Sequence, residues 1–211
     1  MTEYLSQDLE KMDKRFRANF INSISGFKSA NLIGSIGGDG ITNLAIFSSV
    51  VHIGANPPLL GFILRPLSVD RHSYSNIIEK GYFTINALPF SMKEDGHLTS
   101  AKFPVDVSEF DKTKFTSEKN QFGLPYVKES PVSMTCQLKS DTLIELNQTR
   151  LIIGQVVHVR ISSEHLKPDG FFDSAAAGGS TISGMDSYHS VNGGVRFNYA
   201  RPNEEITALP K

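Results

Sequence analysis

Arg65, Arg71 and Ser73 have the chemistry to hold a phosphate. Arg71-His72-Ser73 leads into a stretch that reads as a short helix over 73–80, with Ser73 as its N-cap and Gly81 just past its end. A helix N-terminus presents unpaired N–H groups and partial positive charge, where a phosphate is welcome. Arg65 adds a planar, permanently charged fork. The same three residues also read as an ordinary cap and two surface charges. A second group lies upstream. The apolar run Ile41–Phe47 leaves through two hydroxyls, Ser48 and Ser49, and a second apolar run, Leu59–Leu64, ends on Arg65. Two strands joined by a hydroxyl-rich connection can hold a phosphorylated, planar ligand against a sheet. Backbone groups from Asn43 to Ser49 suffice to read the polar edge of a planar ring. A polar strand end without a ligand is the plain alternative.

Other chemistries find little support. No histidines are paired at metal spacing and no Cys-x-x-Cys occurs. Gly26, Gly34, Gly37, Gly38 and Gly40 lack the strand–loop–long-helix context of a dinucleotide fingerprint. His97, close in sequence to Ser100 and Lys102, can touch a ligand or be a solvated loop residue. The lone Cys136 excludes an internal disulfide, agrees with a reducing compartment and reads as a buried, inert thiol.

The elements that must position these residues are mostly strands. Ala30–Ile36 and Ile41–Phe47 form a predicted hairpin around Gly37-Gly38-Asp39-Gly40, where glycine permits positive φ. Leu59–Leu64 is a continuous apolar run expected to be buried on both sides. Tyr82–Leu88, Val132–Leu138, Leu143–Leu146 and Leu151–Ile161 follow as strands. Leu5, Leu9, Met12 and Phe16 share one face of a predicted N-terminal helix over 5–17, suited to packing on a sheet or a partner subunit. Ala175–Gly184 is a glycine-rich loop and Arg201–Lys211 a proline-punctuated tail, each mobile or ordered against a partner. Many strands with short helices between them predict a mainly β, antiparallel, closed or nearly closed barrel with peripheral helices. A doubly wound sheet would need long helices for which the centre of the chain has no room.

Composition agrees with one domain over residues 1–211. Of 211 residues, 39% are hydrophobic and 20% charged, enough to bury a core without metals or disulfides. A net charge of −1 gives no footprint for nucleic acid or an anionic membrane. No apolar stretch approaches the roughly 20 residues that span a bilayer. Met1-Thr2-Glu3-Tyr4 has no signal-peptide character, so a cytoplasmic location is expected.

From about residue 15 to 190 the sequence resembles the flavin reductase-like FMN-binding split-barrel family. Asn43-Leu44-Ala45-Ile46-Phe47-Ser48 is similar to the family's Asn-Leu-Ala-Pro-Phe-Ser, with Asn56-Pro57-Pro58 downstream. Arg71-His72-Ser73 with Asn76-Ile77 resembles its Lys-Asp-Thr with Asn-Ile, and Gly81–Asn86 its strand ending in Val-Asn. His97–Ala101, Ser108-Glu109-Phe110, Leu151–Val157 and Gly184 with Tyr188 match further segments in order. His72 stands where the family has an acidic residue, and Val51–Ala55 departs from Asn-x-Val-Ser-Ser. The resemblance implies a Greek-key-like split barrel, a homodimer, and FMN bound near the dimer interface. Ser48, Ser49, Arg65, Arg71 and Ser73 would be phosphate or ribityl contacts. Asn43, Leu44, Ala45 and Phe47 would lie near the ring, and His97 and Ser100 within reach of flavin or substrate. The implied activity is an oxidoreductase of the flavin reductase type, moving electrons from NAD(P)H to flavin and on to a second acceptor. A flavin carries its own hydride chemistry, which accounts for the lack of an acid–base pair. The alternative is a non-catalytic, flavoredoxin-like FMN-binding electron carrier.

Overall fold

The computed structural model describes residues 1–210, in which four α-helices and twelve strands form. Two helices come first, α1 (Ser6–Lys11) and α2 (Lys14–Ile24). The single helix expected over 5–17 is broken because Asp13 caps α2, its carboxylate accepting the N–H groups of Arg15 and Phe16. The strands β1 (Lys28–Ser29), β2 (Asn31–Ile36), β3 (Thr42–Phe47), β4 (Val51–Ala55) and β5 (Pro58–Leu64) follow. Next come α3 (His72–Lys80), β6 (Tyr82–Ala87) and α4 (Lys93–Leu98). The chain continues with β7 (Ser117–Lys119), β8 (Pro125–Val127), β9 (Val132–Ile144), β10 (Thr149–Ile161), β11 (Ser180–Ser183) and β12 (Ser187–Ser190).

Seven strands make one fully antiparallel sheet in the order β3-β2-β6-β9-β10-β5-β4. Its two edge strands, β3 and β4, are nearly consecutive in sequence, separated only by Ser48, Ser49 and Val50. In a flat sheet those edges would stand about 28 Å apart. The path from Phe47 to Val51 spans at most about 14 Å when fully extended. The sheet is therefore rolled until its edges approach, which gives the split barrel.

The predicted β2–β3 hairpin is present, with Gly37 N–H donating to Ile41 O at 2.9 Å and Gly40 at φ 84°. Three strand expectations change. The segments 132–138 and 143–146 belong to one strand, β9, which ends at Ile144 before a turn over 145–148. The connection between the two apolar runs contains β4, and β5 is only partly buried because β4 is its exposed-edge neighbour. The glycine-rich stretch 175–184 ends in β11, whose Ser180 and Ile182 are buried.

Alternation along β2 sends neighbouring side chains into two cores. Ile33 packs with Phe62, Phe83, Ile85 and Cys136 inside the barrel, while Leu32 packs with Leu44, Leu88 and Ile182 on the other face. Edge-to-face contacts join Phe47 to Phe62 at 5.0 Å and Phe62 to Phe83 at 5.5 Å. Helix α3 buries Ile77 in the first core and ends on Gly81 at φ 68°. Asn86, fully buried, donates to Leu32 O and Thr84 Oγ1 and accepts Val127 N–H, so its place at the end of β6 is structural. No helix among the described residues is long and apolar enough to cross a membrane.

Candidate functional site

A cavity of about 440 Å³ opens where the rolled sheet's edges approach, well within the range of small-molecule sites. One wall is β3, which contributes Asn43, Ala45 and Phe47, and the seam residues Ser48 and Ser49. The end of β5 brings Ile63, Leu64 and Arg65, and the start of α3 brings Asp70, Arg71, His72 and Ser73. The segment after α4 closes a third side with Thr99, Ser100 and Lys102. Residues spread from 43 to 102 in sequence are thus brought together by sheet closure.

The helix start differs from expectation. Arg71, at φ −126°, occupies the cap position without a side-chain capping bond, and Ser73 is the second residue of the helix. The buried Ser73 hydroxyl instead accepts a hydrogen bond from Asn43 Nδ2 at 2.8 Å, which pins the helix N-terminus against β3. The first N–H groups of a helix have no intrahelical acceptor, and the residues at the start of α3, Arg71, His72 and Ser73, line the cavity. Arg71 Nε is buried and has no hydrogen-bond partner within the protein. A buried donor left unmade costs about 1–3 kcal/mol, more when it is charged. An anionic oxygen at this position would satisfy it, so the residues present fit a phosphate. Arg65, exposed at the rim, reaches Met185 Sδ at 3.7 Å.

The two seam serines do different jobs. Ser49 Oγ donates to Ile63 O at 3.0 Å and accepts Ile63 N–H at 3.1 Å, doing for β5 what a paired strand residue would do. Its hydroxyl is committed to closing the barrel. Ser48 lines the same cavity, and among the described residues its hydroxyl forms no hydrogen bond.

Two expected residues lie elsewhere. Leu44 is fully buried in the second core and is not among the residues that line the cavity, because alternation carries its side chain away from it. His97 is exposed and outside the cavity lining, with Nδ1 3.1 Å from the Tyr188 hydroxyl. Burial and the nearby Asp186 carboxylate push the Tyr188 phenol up to about 12. Ser100 does line the cavity.

The sequence reading missed the cavity roles of Glu109, Thr99, Asn22 and Met185. Glu109 is buried and accepts Leu44 N–H at 2.8 Å. Burial raises its carboxyl above the ordinary range, partly offset by the Leu44 N–H and by His72. The Glu-Phe pair at 109–110 was the one local signal of its presence. No metal-binding group of three or more His, Cys, Asp or Glu forms among the described residues.

Residues 27–179 match the flavin reductase like domain. The chain belongs to that family. The flavin reductase-like chain shares 41% identity with a protein from Shewanella frigidimarina NCIMB 400 described as a flavin reductase with split barrel domain. The two superpose with a TM-score of 0.91 over 95% of this chain and 100% of that one. Nitrilotriacetate monooxygenase component B from Bacillus cereus has the same fold, at 22% identity and a TM-score of 0.80 over 92% of this chain and 98% of that one. An uncharacterized protein of Aquifex aeolicus (strain VF5) is 26% identical over 132 residues. That match covers 61% of this chain and just under two thirds, 66%, of the relative.

Proposed function

We propose that this flavin reductase-like chain is a single-domain, cytoplasmic, dimeric FMN-dependent oxidoreductase that takes reducing equivalents from NADH or NADPH and passes them to a second acceptor. The observation that carries the reading is the buried, unpartnered Arg71 Nε at the N-terminus of α3, on the wall of a ligand-sized cavity. Arg71 and the first N–H groups of α3 would hold the phosphate, with Arg65 adding charge from the rim. The free Ser48 hydroxyl is suited to the ribityl chain. The backbone of Asn43–Phe47, with the side chains of Asn43, Ala45 and Phe47, would lie along the ring.

When bound, FMN supplies hydride acceptance and electron delivery. The protein's task is orientation and exclusion of water. The Asn43–Ser73 bond locks the phosphate end to the ring wall, so the two ends of a bound flavin cannot drift apart. The Leu44–Glu109 bond fixes the strand that the ring would lie against. Neither feature requires a side chain to donate or remove a proton.

The visible spectrum of freshly purified protein, followed by anaerobic addition of NADH or NADPH, tests the reading. A flavin band that bleaches rapidly is expected. A flavin band that persists would identify a non-catalytic electron carrier, and a colourless protein that takes up no added FMN would refute flavin binding itself.

A further inference from the structure

The C-terminal hairpin is amphipathic in the wrong direction for a free monomer. Asn198 N–H donates to Thr207 O at 3.1 Å and Leu209 N–H to Arg196 O at 2.8 Å, while Phe197 bridges Ala208. This register makes a hairpin over 196–209 in which Tyr199 stands opposite Ile206. Side chains alternate across such a ribbon, so Val195, Phe197, Tyr199 and Ile206 share one face. They are 65%, 56%, 83% and 61% exposed. The other face carries Arg196, which pairs with Asp169 at 2.6 Å and lies over the Phe171 ring at 4.2 Å, anchoring the hairpin to its own chain. The polar side is thus turned inward and the apolar side outward. An isolated two-stranded hairpin is marginal in water, and this one has its apolar face uncovered.

Three observations select a second copy of this chain as the cover. The accessible surface is 12784 Å², about 3000 Å² above what a compact chain of this mass exposes. Obligate homodimers bury roughly 2000–5000 Å² summed over both copies, or about 1000–2500 Å² from each, so the surplus on one chain is enough to supply its share. Each copy also presents a second apolar stripe, Phe16, Phe20 and Ile24 at four-residue spacing on α2, a helix with no buried residue. A two-fold axis lets each hairpin meet the other copy's stripe reciprocally. Finally, Glu204 and Glu205 at the hairpin tip and a net charge of −1 disfavour an anionic lipid surface.

We propose that residues 195–209 form an arm whose apolar face packs on helix α2 of a second copy of this chain. The proposal deepens the dimeric reading given above by naming the surfaces involved, and it does not depend on what the cavity holds.

Sedimentation of the full-length protein is the test, with flavin absorbance read in the same cell. The wild type should be a dimer at micromolar concentration. Phe197→Ser with Tyr199→Ser, and separately Phe16→Ser, should each raise the dimer dissociation constant at least about 100-fold. A monomeric wild type, or dimers whose dissociation constants change less than about threefold in the variants, would overturn the proposal. If the variants fold poorly, hydrogen exchange of the wild type decides. Protection of residues 197–199 in the dimer that is lost on dilution to monomer supports the arm, and the same exchange in dimer and monomer refutes it. Loss of the flavin signal with an intact dimer would count against the cofactor reading alone.

Discussion

The carboxylate of Glu109 accepts the main-chain N–H of Leu44 at 2.8 Å across 65 residues of sequence, closing the open edge of β3 where it forms the cavity wall. Because burial raises this carboxyl above its ordinary value of 4.5, the folded protein holds a proton here more tightly than the unfolded chain. The contribution of Glu109 to stability therefore falls as pH rises from the unfolded value through the folded one, and is flat above it. Glu109→Gln keeps an acceptor oxygen and should remove that decline, so its stability relative to wild type grows with pH over this window. Glu109→Ala leaves Leu44 N–H unpaired and should cost about 1–3 kcal/mol. Urea denaturation of both variants from pH 4.5 to 8 checks the sign.

Arg71→Ala should weaken FMN binding by roughly 1.5–3 kcal/mol, the range for a hydrogen bond to a charged group. Riboflavin, without the phosphate, should bind almost as before. Fluorescence titration of both ligands against wild type and variant makes the comparison, and equal losses would remove Arg71 from the phosphate site.

The two seam serines should separate cleanly. Ser49→Ala strips Ile63 N–H of its acceptor and should lower unfolding stability by about 1–3 kcal/mol. Ser48→Ala should leave stability within about 0.5 kcal/mol while reducing FMN affinity. Denaturation midpoints and flavin titrations on the same two variants test the division.

Gly154, on β10, faces the barrel core. A Cβ there would stand 2.6 Å from Phe83 Cζ and 2.8 Å from Cys136 Cβ. Both neighbours are fully buried, so Gly154→Ala should destabilise by about 1–3 kcal/mol through overpacking. A denaturation curve shifted to lower urea with an unchanged slope is the expected record.

No single side chain is expected to be indispensable for hydride transfer. His97→Ala and Ser100→Ala should each slow single-turnover reduction of bound flavin by about tenfold or less, one contact's worth of roughly 1.4 kcal/mol. A loss beyond about 10³-fold with flavin content intact would be the mark of a positioned general acid or base.

The parts of this molecule that were legible in sequence are those where burial or backbone geometry leaves a local mark. The hairpin at Gly37–Gly40 shows because glycine supplies the left-handed turn residue, and the end of α3 shows because Gly81 does the same. β4 left no such mark: Val51, His52, Ile53 and Ala55 are all exposed, and the strand has a partner on one side only. Lys139–Thr142 looked like a break in β9 because the outer half of the β9–β10 ribbon is wet on both faces and loses its alternation. At the site, Arg71 and Ser48 could be named from residue type. The division of labour between Ser48 and Ser49 could not, since it depends on Ile63 arriving from another strand. The cavity role of Glu109 was not legible in the Glu-Phe pair, because it depends on the burial of the carboxyl and on Leu44 N–H arriving from β3.

The three-residue seam between β3 and β4 also bears on how this architecture can diversify. The segment that shapes one cavity wall is the same one that shuts the cylinder, so sequence drift there is judged twice, once by ligand and once by folding. The opposite wall, from Thr99 to Phe103 and at Met185, carries no such double duty. Changes of substrate among descendants of this chain should accumulate on that unconstrained side, leaving the seam nearly frozen.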